Sequence, residues 1–401
     1  MVKNLKKLLL QCCLIVICVF SSSIQAADDV VLTIDKYYSP YMGANLMQAG
    51  LTGYSALDDI VASSTEGNRS NCMTAIRFGK WLFLDVGISN FATVLQHEIF
   101  GHGARAREFK MNDIGYHINL FSGATTYPQA EYNILDVNQK AALSTGGVEA
   151  TSILAQEIER QWMISNVMDR RDATLFLINS LDQSVYAFST SSDAFHPDND
   201  ANAYINNVNA WYGKQVLTSH KLKIKTLWNW LDPMLYMSAC SIIQYIWEGQ
   251  PNIQIPTLHI GKSRFLPTTR TLYAPWGPEF QLQAHLYNQQ QQYVGVFLRY
   301  GKTNSKNSYG ADLIVSPMAK YDCWYVTNKL SVWHQPHLLK NDTAATNTSK
   351  YGFAEFISFY YRLNKGVYAN GEIGYKVSGY LPGTPLASGV VWRVGFLFNL
   401  L

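Results

Sequence analysis

The chain is short of charge. Asp, Glu, Lys and Arg make up 15% of its 401 residues, against about 25% in ordinary soluble proteins. It has no Gly-x-Ser-x-Gly elbow, no phosphate-binding glycine loop and no dinucleotide fingerprint. These absences argue against serine hydrolases, nucleotide enzymes and flavin or nicotinamide oxidoreductases. Its six cysteines include no Cys-x-x-Cys pair, so any metal site must draw on His and carboxylates. Aromatic residues are plentiful, with 25 Tyr and 10 Trp. A charge-poor, Tyr-rich chain of this length suits a β-rich or membrane-associated protein with a sizeable core.

The first 26 residues read as a signal peptide. Lys3, Lys6 and Lys7 form a basic head, Leu8 to Phe20 an apolar core, and Ser21 to Ala27 a small, polar cleavage region. Cleavage after Ala26 would remove three lysines from 32 basic residues, leaving as many as the 29 acids. The net +3 then belongs to targeting and offers no argument for nucleic-acid binding. Cys12, Cys13 and Cys18 leave with the signal. Cys72, Cys240 and Cys323 remain, too few for a disulfide framework.

Three regions follow: a mixed segment over 28–75, a mainly helical region over 76–250, and strands over 255–401. Period-two alternation is clearest in the last region. Phe280, Leu282, Ala284 and Leu286 alternate with Glu279, Gln281, Gln283 and His285. In Val367–Val377, Ile373 and Tyr375 alternate with Glu372 and Lys376. The final segment sets Val390, Trp392, Val394, Phe396 and Phe398 on one face. Such a period means strands with two unlike faces. Further strands are expected near 264–273, 293–300, 309–316, 324–334 and 351–362. About eight strands, each near the ten residues that cross a bilayer at a tilt, fit an antiparallel outer-membrane β-barrel, apolar outside and polar inside. The alternative is a soluble sheet with its apolar face on a helical core. The fold class expected is thus α+β: a helical metal-binding region, then a barrel.

The helical region carries the chemistry. Ala92 to Phe109 reads as a helix containing His97-Glu98-Ile99-Phe100-Gly101-His102-Gly103. Common zinc peptidases space their two His four apart, on one helix face. Here the spacing is five, which in a regular helix separates the two side chains by about 140°. A π-type turn inserts one residue and restores the shared face. Gly101, with no Cβ, is a natural place to absorb it.

This run resembles the zinc motif of dipeptidyl-peptidase III, His-Glu-Leu-Leu-Gly-His-Gly. The match covers seven residues and keeps both His, the Glu and both Gly. The resemblance implies His97 and His102 as zinc ligands and Glu98 as the residue that activates water. It also implies a third ligand, a Glu from a later helix. Gly146-Gly147-Val148-Glu149-Ala150 opens a helix in this reading, and Glu149 lies 52 residues after His97. Glu157 and Glu159 are rivals for that place. The family's later motif is richer in acids, and its members are large and soluble, without signal peptide or barrel. The likeness is therefore one of site.

Zinc takes neutral imidazole and carboxylate ligands, three in a catalytic site with water in the fourth place. Another first-row ion would use the same donors. Arg105 and Arg107 read as a solvated helix face or as contacts to a substrate carboxylate, and His117 as a structural His or an oxyanion donor. Asp232-Pro233 reads as an N-cap and first helical residue ahead of the apolar run Met234 to Trp247.

The expectation is a zinc-dependent peptidase of the bacterial outer membrane, acting on a peptide or protein and contacting outer-membrane lipid, with no nucleic-acid partner. A periplasmic or secreted location is the alternative place. The alternative function is a non-enzymatic outer-membrane barrel, a pore or assembly factor, whose His-Glu segment is structural.

Overall fold

The computed structural model describes residues 29–62, 67, 69–190, 199–338 and 348–399. The expected signal peptide lies outside the described residues. Strand β1 (Asp29–Asp35) leads into helix α1 (Pro40–Ala62). The turn between them is held by Asp35, whose carboxylate accepts the backbone N–H groups of Tyr37 and Ser39. A continuous helical stretch follows: α2 (Asn71–Lys80), a π-turn (Trp81–Asp85), α3 (Val86–His97), a second π-turn (Glu98–His102) and α4 (Gly103–Glu108). The helix expected from Ala92 thus starts much earlier.

A short hairpin, β2 (Gly115–Ile118) and β3 (Gly123–Thr126), precedes α5 (Gln129–Asn133) and the long α6 (Val137–Ser165). Asp136 and Gln139 close a reciprocal capping box on α6, satisfying two N–H groups the helix would otherwise orphan. Gly146 and Gly147 therefore lie inside this helix, where the sequence reading had them opening it. Next come β4 (Val167–Asp169), α7 (Arg170–Ser189), α8 (Asp200–Tyr212), α9 (Ser219–Thr226) and a 3₁₀ turn (Leu227–Leu231). Helix α10 (Pro233–Glu248) starts as expected, with Asp232 accepting from the Met234 N–H. Short strand β5 (Asn252–Gln254) pairs with β4.

The remaining chain is sheet: β6 (Leu258–Ile260), β7 (Ser263–Ala274), β8 (Gly277–Tyr287), β9 (Tyr293–Thr303), β10 (Lys306–Tyr321), β11 (Trp324–Pro336), β12 (Ser349–Asn364), β13 (Val367–Lys376) and β14 (Gly389–Asn399). The eight strands read from alternation are β7 to β14. Two more join them, giving an antiparallel sheet in the order β1-β14-β13-β12-β11-β10-β9-β8-β7-β6. This corrects the expected closed barrel of about eight strands. Among the described residues β1 and β6 do not pair, and the sheet has two edges. Alternation along a strand specifies two unlike faces; closure depends on edges meeting, which no local pattern encodes.

The two faces of the sheet are unlike. Gln281, Gln283, His285, Arg299, Asp312 and Arg393 are buried, while Leu282, Leu298, Leu313, Ile373, Trp392 and Val394 are exposed. The helices pack on the polar face. Arg270 of β7 meets Glu159 of α6 at 2.9 Å, and Arg264 donates to the Ile164 carbonyl. Burying a large apolar side chain is worth about 1.5–3 kcal/mol, and on this sheet many such side chains stay on the outer face.

Candidate metal centre

The five-residue spacing finds its solution in the second π-turn. The Gly103 N–H donates to the Glu98 carbonyl, five residues back, and this wider turn brings His97 and His102 onto one face. Their Nε2 atoms stand 3.2 Å apart. Gly101 serves this turn through close approach. Its φ is not in the left-handed region. A Cβ there would lie 2.5 Å from the Gly146 carbonyl oxygen, and one on Gly147 would lie 2.1 Å from His97 Nε2. Glycines on both partners let α6 press against the imidazoles.

A carboxylate completes the group, and it is Asp200, the first residue of α8. One oxygen, Oδ2, is 2.9 Å from Nε2 of His97 and 2.9 Å from Nε2 of His102. His97, His102 and Asp200 form a cluster of potential metal ligands among the described residues. Glu149 is not in it. Its two oxygens are held by Arg105, at 2.7 Å and 2.8 Å, and one also accepts the Gly383 N–H. A buried carboxylate already paired to a guanidinium has little reason to leave it. Glu157 pairs with Arg160, and Glu159 with Arg270.

The donor set fits zinc. A tetrahedral ion with bonds of about 2.05 Å holds its donors about 3.3 Å apart. The three edges here are 2.9, 2.9 and 3.2 Å, so a few tenths of an ångström of expansion admits the ion. Each imidazole is oriented from behind, as ligating His usually are. Asp182 of α7 meets His97 Nδ1 at 3.1 Å and itself accepts from Thr151 at 2.8 Å. His102 Nδ1 lies 2.7 Å from the Leu143 carbonyl, which fixes that ring's proton on Nδ1 and leaves Nε2 as the donor to a metal. Tyr186 stacks on His97 with centroids 5.0 Å apart.

Burial works against charge on His97, yet Asp182 and Asp200 outweigh it and raise its pKa well above the ordinary value. Asp200 likewise raises that of His102 against burial. Burial pushes the Asp200 pKa up, but the two imidazoles prevail and hold it below the usual range. The two imidazoles and the carboxylates of Asp182 and Asp200 are thus paired by charge as well as by hydrogen bonds.

Glu98 is buried beside the cluster. Thr125 of β3 donates to its Oε2 at 2.7 Å and also to its backbone carbonyl. The hairpin packs closely here, since a Cβ on Gly123 would lie 2.6 Å from Glu98 Cγ. Burial, with Asp200 and Glu98 among the nearby charges, pushes the phenol pKa values of Tyr127 and Tyr186 up. Both therefore stay protonated donors.

The arginines are structural. Arg105 is buried on Glu149, Glu108 and the Thr384 carbonyl, and Arg107 binds the Tyr37 and Ile99 carbonyls and the Tyr116 hydroxyl. His117 is exposed on β2. Sequence reasoning missed Asp182, Tyr186 and Asp200. The first two are four apart on one helix face, which is a weak signal. Asp200 lies 98 residues beyond His102, outside the reach of any local spacing rule. No family model, curated protein or solved structure matches the chain.

Proposed function

We propose that the protein is a zinc-dependent peptidase associated with the bacterial outer membrane. The observation that carries this reading is the convergence of His97 Nε2, His102 Nε2 and Asp200 Oδ2 next to a buried glutamate. Held by these three residues, zinc would supply a bound water of lowered pKa and a Lewis acid for a carbonyl oxygen. The chain's own residues do the rest. Thr125 fixes one Glu98 oxygen and leaves the other to take the water's proton and deliver it to the leaving amine. Tyr127 and Tyr186 are the donors available to a developing oxyanion. Asp182 holds His97 in the tautomer that presents Nε2.

The membrane part of the reading is supported by the inverted sheet. Across its exposed face runs one aromatic row, Tyr300, Tyr309, His334 and Tyr351, register partners on successive strands. A second row, Tyr321, Trp324 and Tyr361, runs near the other strand ends. Trp324 and His334 are ten residues apart on β11, about 33 Å of strand. At a spanning tilt of roughly 45° that is about 23 Å, close to the height of an outer-membrane apolar band flanked by aromatic girdles. Glu355, paired to Asn328 at 3.0 Å, interrupts the apolar face.

Metal analysis and a peptidase assay on the purified chain test the proposal together. The expected result is one zinc per chain and hydrolysis that a chelator removes and zinc restores. A chain that takes up no zinc on reconstitution would return the reading to a non-enzymatic membrane protein with a structural His-Glu segment.

A further inference from the structure

The sheet is open, and an open edge in a bilayer would leave backbone N–H and C=O groups without partners, at several kcal/mol each. We propose that helices α1, α2 with its π-turn, and α10 close the gap between β1 and the β6–β7 edge, with α2, its π-turn and α10 as lipid-facing staves, so that helices and sheet together present an apolar wall to acyl chains. This rests on the membrane reading above and adds to it a surface that no strand pattern indicates.

The elements form a ring. Asn45 of α1 donates to Thr33 of β1 at 2.9 Å. On its other side α1 meets the first π-turn: Lys80 pairs with Asp58 at 2.8 Å and Tyr54 donates to Asp85 at 2.5 Å. Arg77 of α2 then donates to the Ile246 and Trp247 carbonyls, at 3.0 and 3.2 Å, capping the end of α10. The 3₁₀ turn before α10 closes the ring on the sheet, with Thr269 donating to the Trp228 carbonyl and the Thr271 N–H to Asn229. The Thr271 N–H on the β7 edge thereby has a protein partner.

Helix α2, its π-turn and α3 are inverted as the sheet is, whereas α1 buries Met42, Ala44, Met47 and Leu51 and α10 buries Met234, Leu235 and Ile242. Along α2, the π-turn and α3, the buried residues are Arg77, Asp85, Gly87, Ser89, Thr93, Gln96 and His97. The exposed ones include Phe78, Leu82, Phe83 and Leu84, with Phe83 76% open. On α10 the outward face is Tyr236, Cys240, Ile243 and Trp247, without a charge. Behind these helices lies an ionic cluster in which Asp58 binds Lys80, Arg170 and Arg171. A water-facing helix would bury Leu and Phe and expose Arg and Asp. Between α2 and α10 runs an apolar groove of about 720 Å³ lined by Phe78, Trp81, Ile243, Ile246 and Trp247, whose walls suit an acyl chain. No helix among the described residues is long and apolar enough to cross a membrane by itself. The staves therefore act as parts of a mixed wall.

The test is site-directed spin labelling of the full mature chain in vesicles of phosphatidylethanolamine and phosphatidylglycerol. One label sits on native Cys240 after Cys72→Ser and Cys323→Ser, which leaves the α10 face unaltered. In a background with all three cysteines replaced by serine, others sit at Phe83→Cys, Ile373→Cys on the sheet, and Gln290→Cys on an exposed hairpin tip. Collisions with oxygen and with a water-soluble nickel chelate are compared at each site. The expected result is oxygen-favoured accessibility at Cys240, Phe83 and Ile373, and the reverse at Gln290. Oxygen preference at Ile373 alone, with nickel preference at Cys240 and Phe83, would overturn the staves and leave the membrane reading standing. Nickel preference at all sites would overturn both. Spin–spin broadening at Cys240 and Phe83, with neither reagent reaching them, would show a second copy covering the face and would also overturn the proposal.

Discussion

Two π-turns interrupt the same helical stretch, and they are put to different uses. At Trp81–Asp85 the extra residue leaves Leu82, Phe83 and Leu84 all exposed while Asp85 stays buried among Lys80 and Arg170. At Glu98–His102 it turns two imidazoles toward one carboxylate. One insertion widens an outward face and the other gathers an inward one. A π-turn is thus a way to break the 100° increment of a helix; what it gains depends on the residues placed around it. The Gly101–Gly146 contact belongs to the second turn alone, where α6 comes close enough for its Leu143 carbonyl to meet His102 Nδ1.

If this contrast is right, substitutions at the two turns should separate cleanly. The largest effect belongs to the ligands: His97→Ala and His102→Ala should each lose zinc and lower kcat/KM by about 10³-fold or more, some 4 kcal/mol of transition-state stabilisation, while vesicle association is unchanged. Next comes Glu98→Gln. It should keep zinc and lower kcat by roughly 10²–10⁴-fold, the usual contribution of a general base; full activity in this variant would remove Glu98 from the mechanism. At the first turn, Phe83→Asp should leave zinc stoichiometry intact and weaken membrane partitioning by an amount equivalent to about 2–4 kcal/mol, read from a vesicle flotation series. Equal loss of zinc in that variant would show the turns to be coupled. The smallest effect is expected from Asp182→Asn, which should weaken zinc affinity about 10–100-fold in a competition titration and leave the other ligands in place.

What could be read in advance divides along the same line. β7 to β14 were legible because a strand's two-residue period is local and each face is consistent over ten or so residues. The pairing of β1 with β14 and the open edge were not, since both depend on residues hundreds of positions apart. Within the site, His97, Glu98 and His102 were legible for the same local reason, and the odd spacing even required the π-turn. Glu149 misled because its surroundings, Gly146-Gly147, mark a close helix contact and not a helix start. Its carboxylate serves Arg105, whose burial could not be read from a helix face that looked solvated. Asp200, the carboxylate that meets both imidazoles, comes from across a 98-residue gap. The inverted polarity of α2 and α3 was in plain view in the sequence, but an inside-out helix reads as an ordinary amphipathic one until its neighbours are known.

The central claim is that His97, His102 and Asp200 hold one zinc ion. X-ray absorption of the zinc-loaded chain, beside its Asp200→Ala variant, tests it most directly. The account predicts two imidazole nitrogens and a carboxylate oxygen at about 2.0–2.1 Å in the wild type, and loss of the carboxylate contribution with weakened retention of zinc in the variant. A wild-type spectrum without imidazole scattering, or an Asp200→Ala spectrum identical to the wild type, would contradict it.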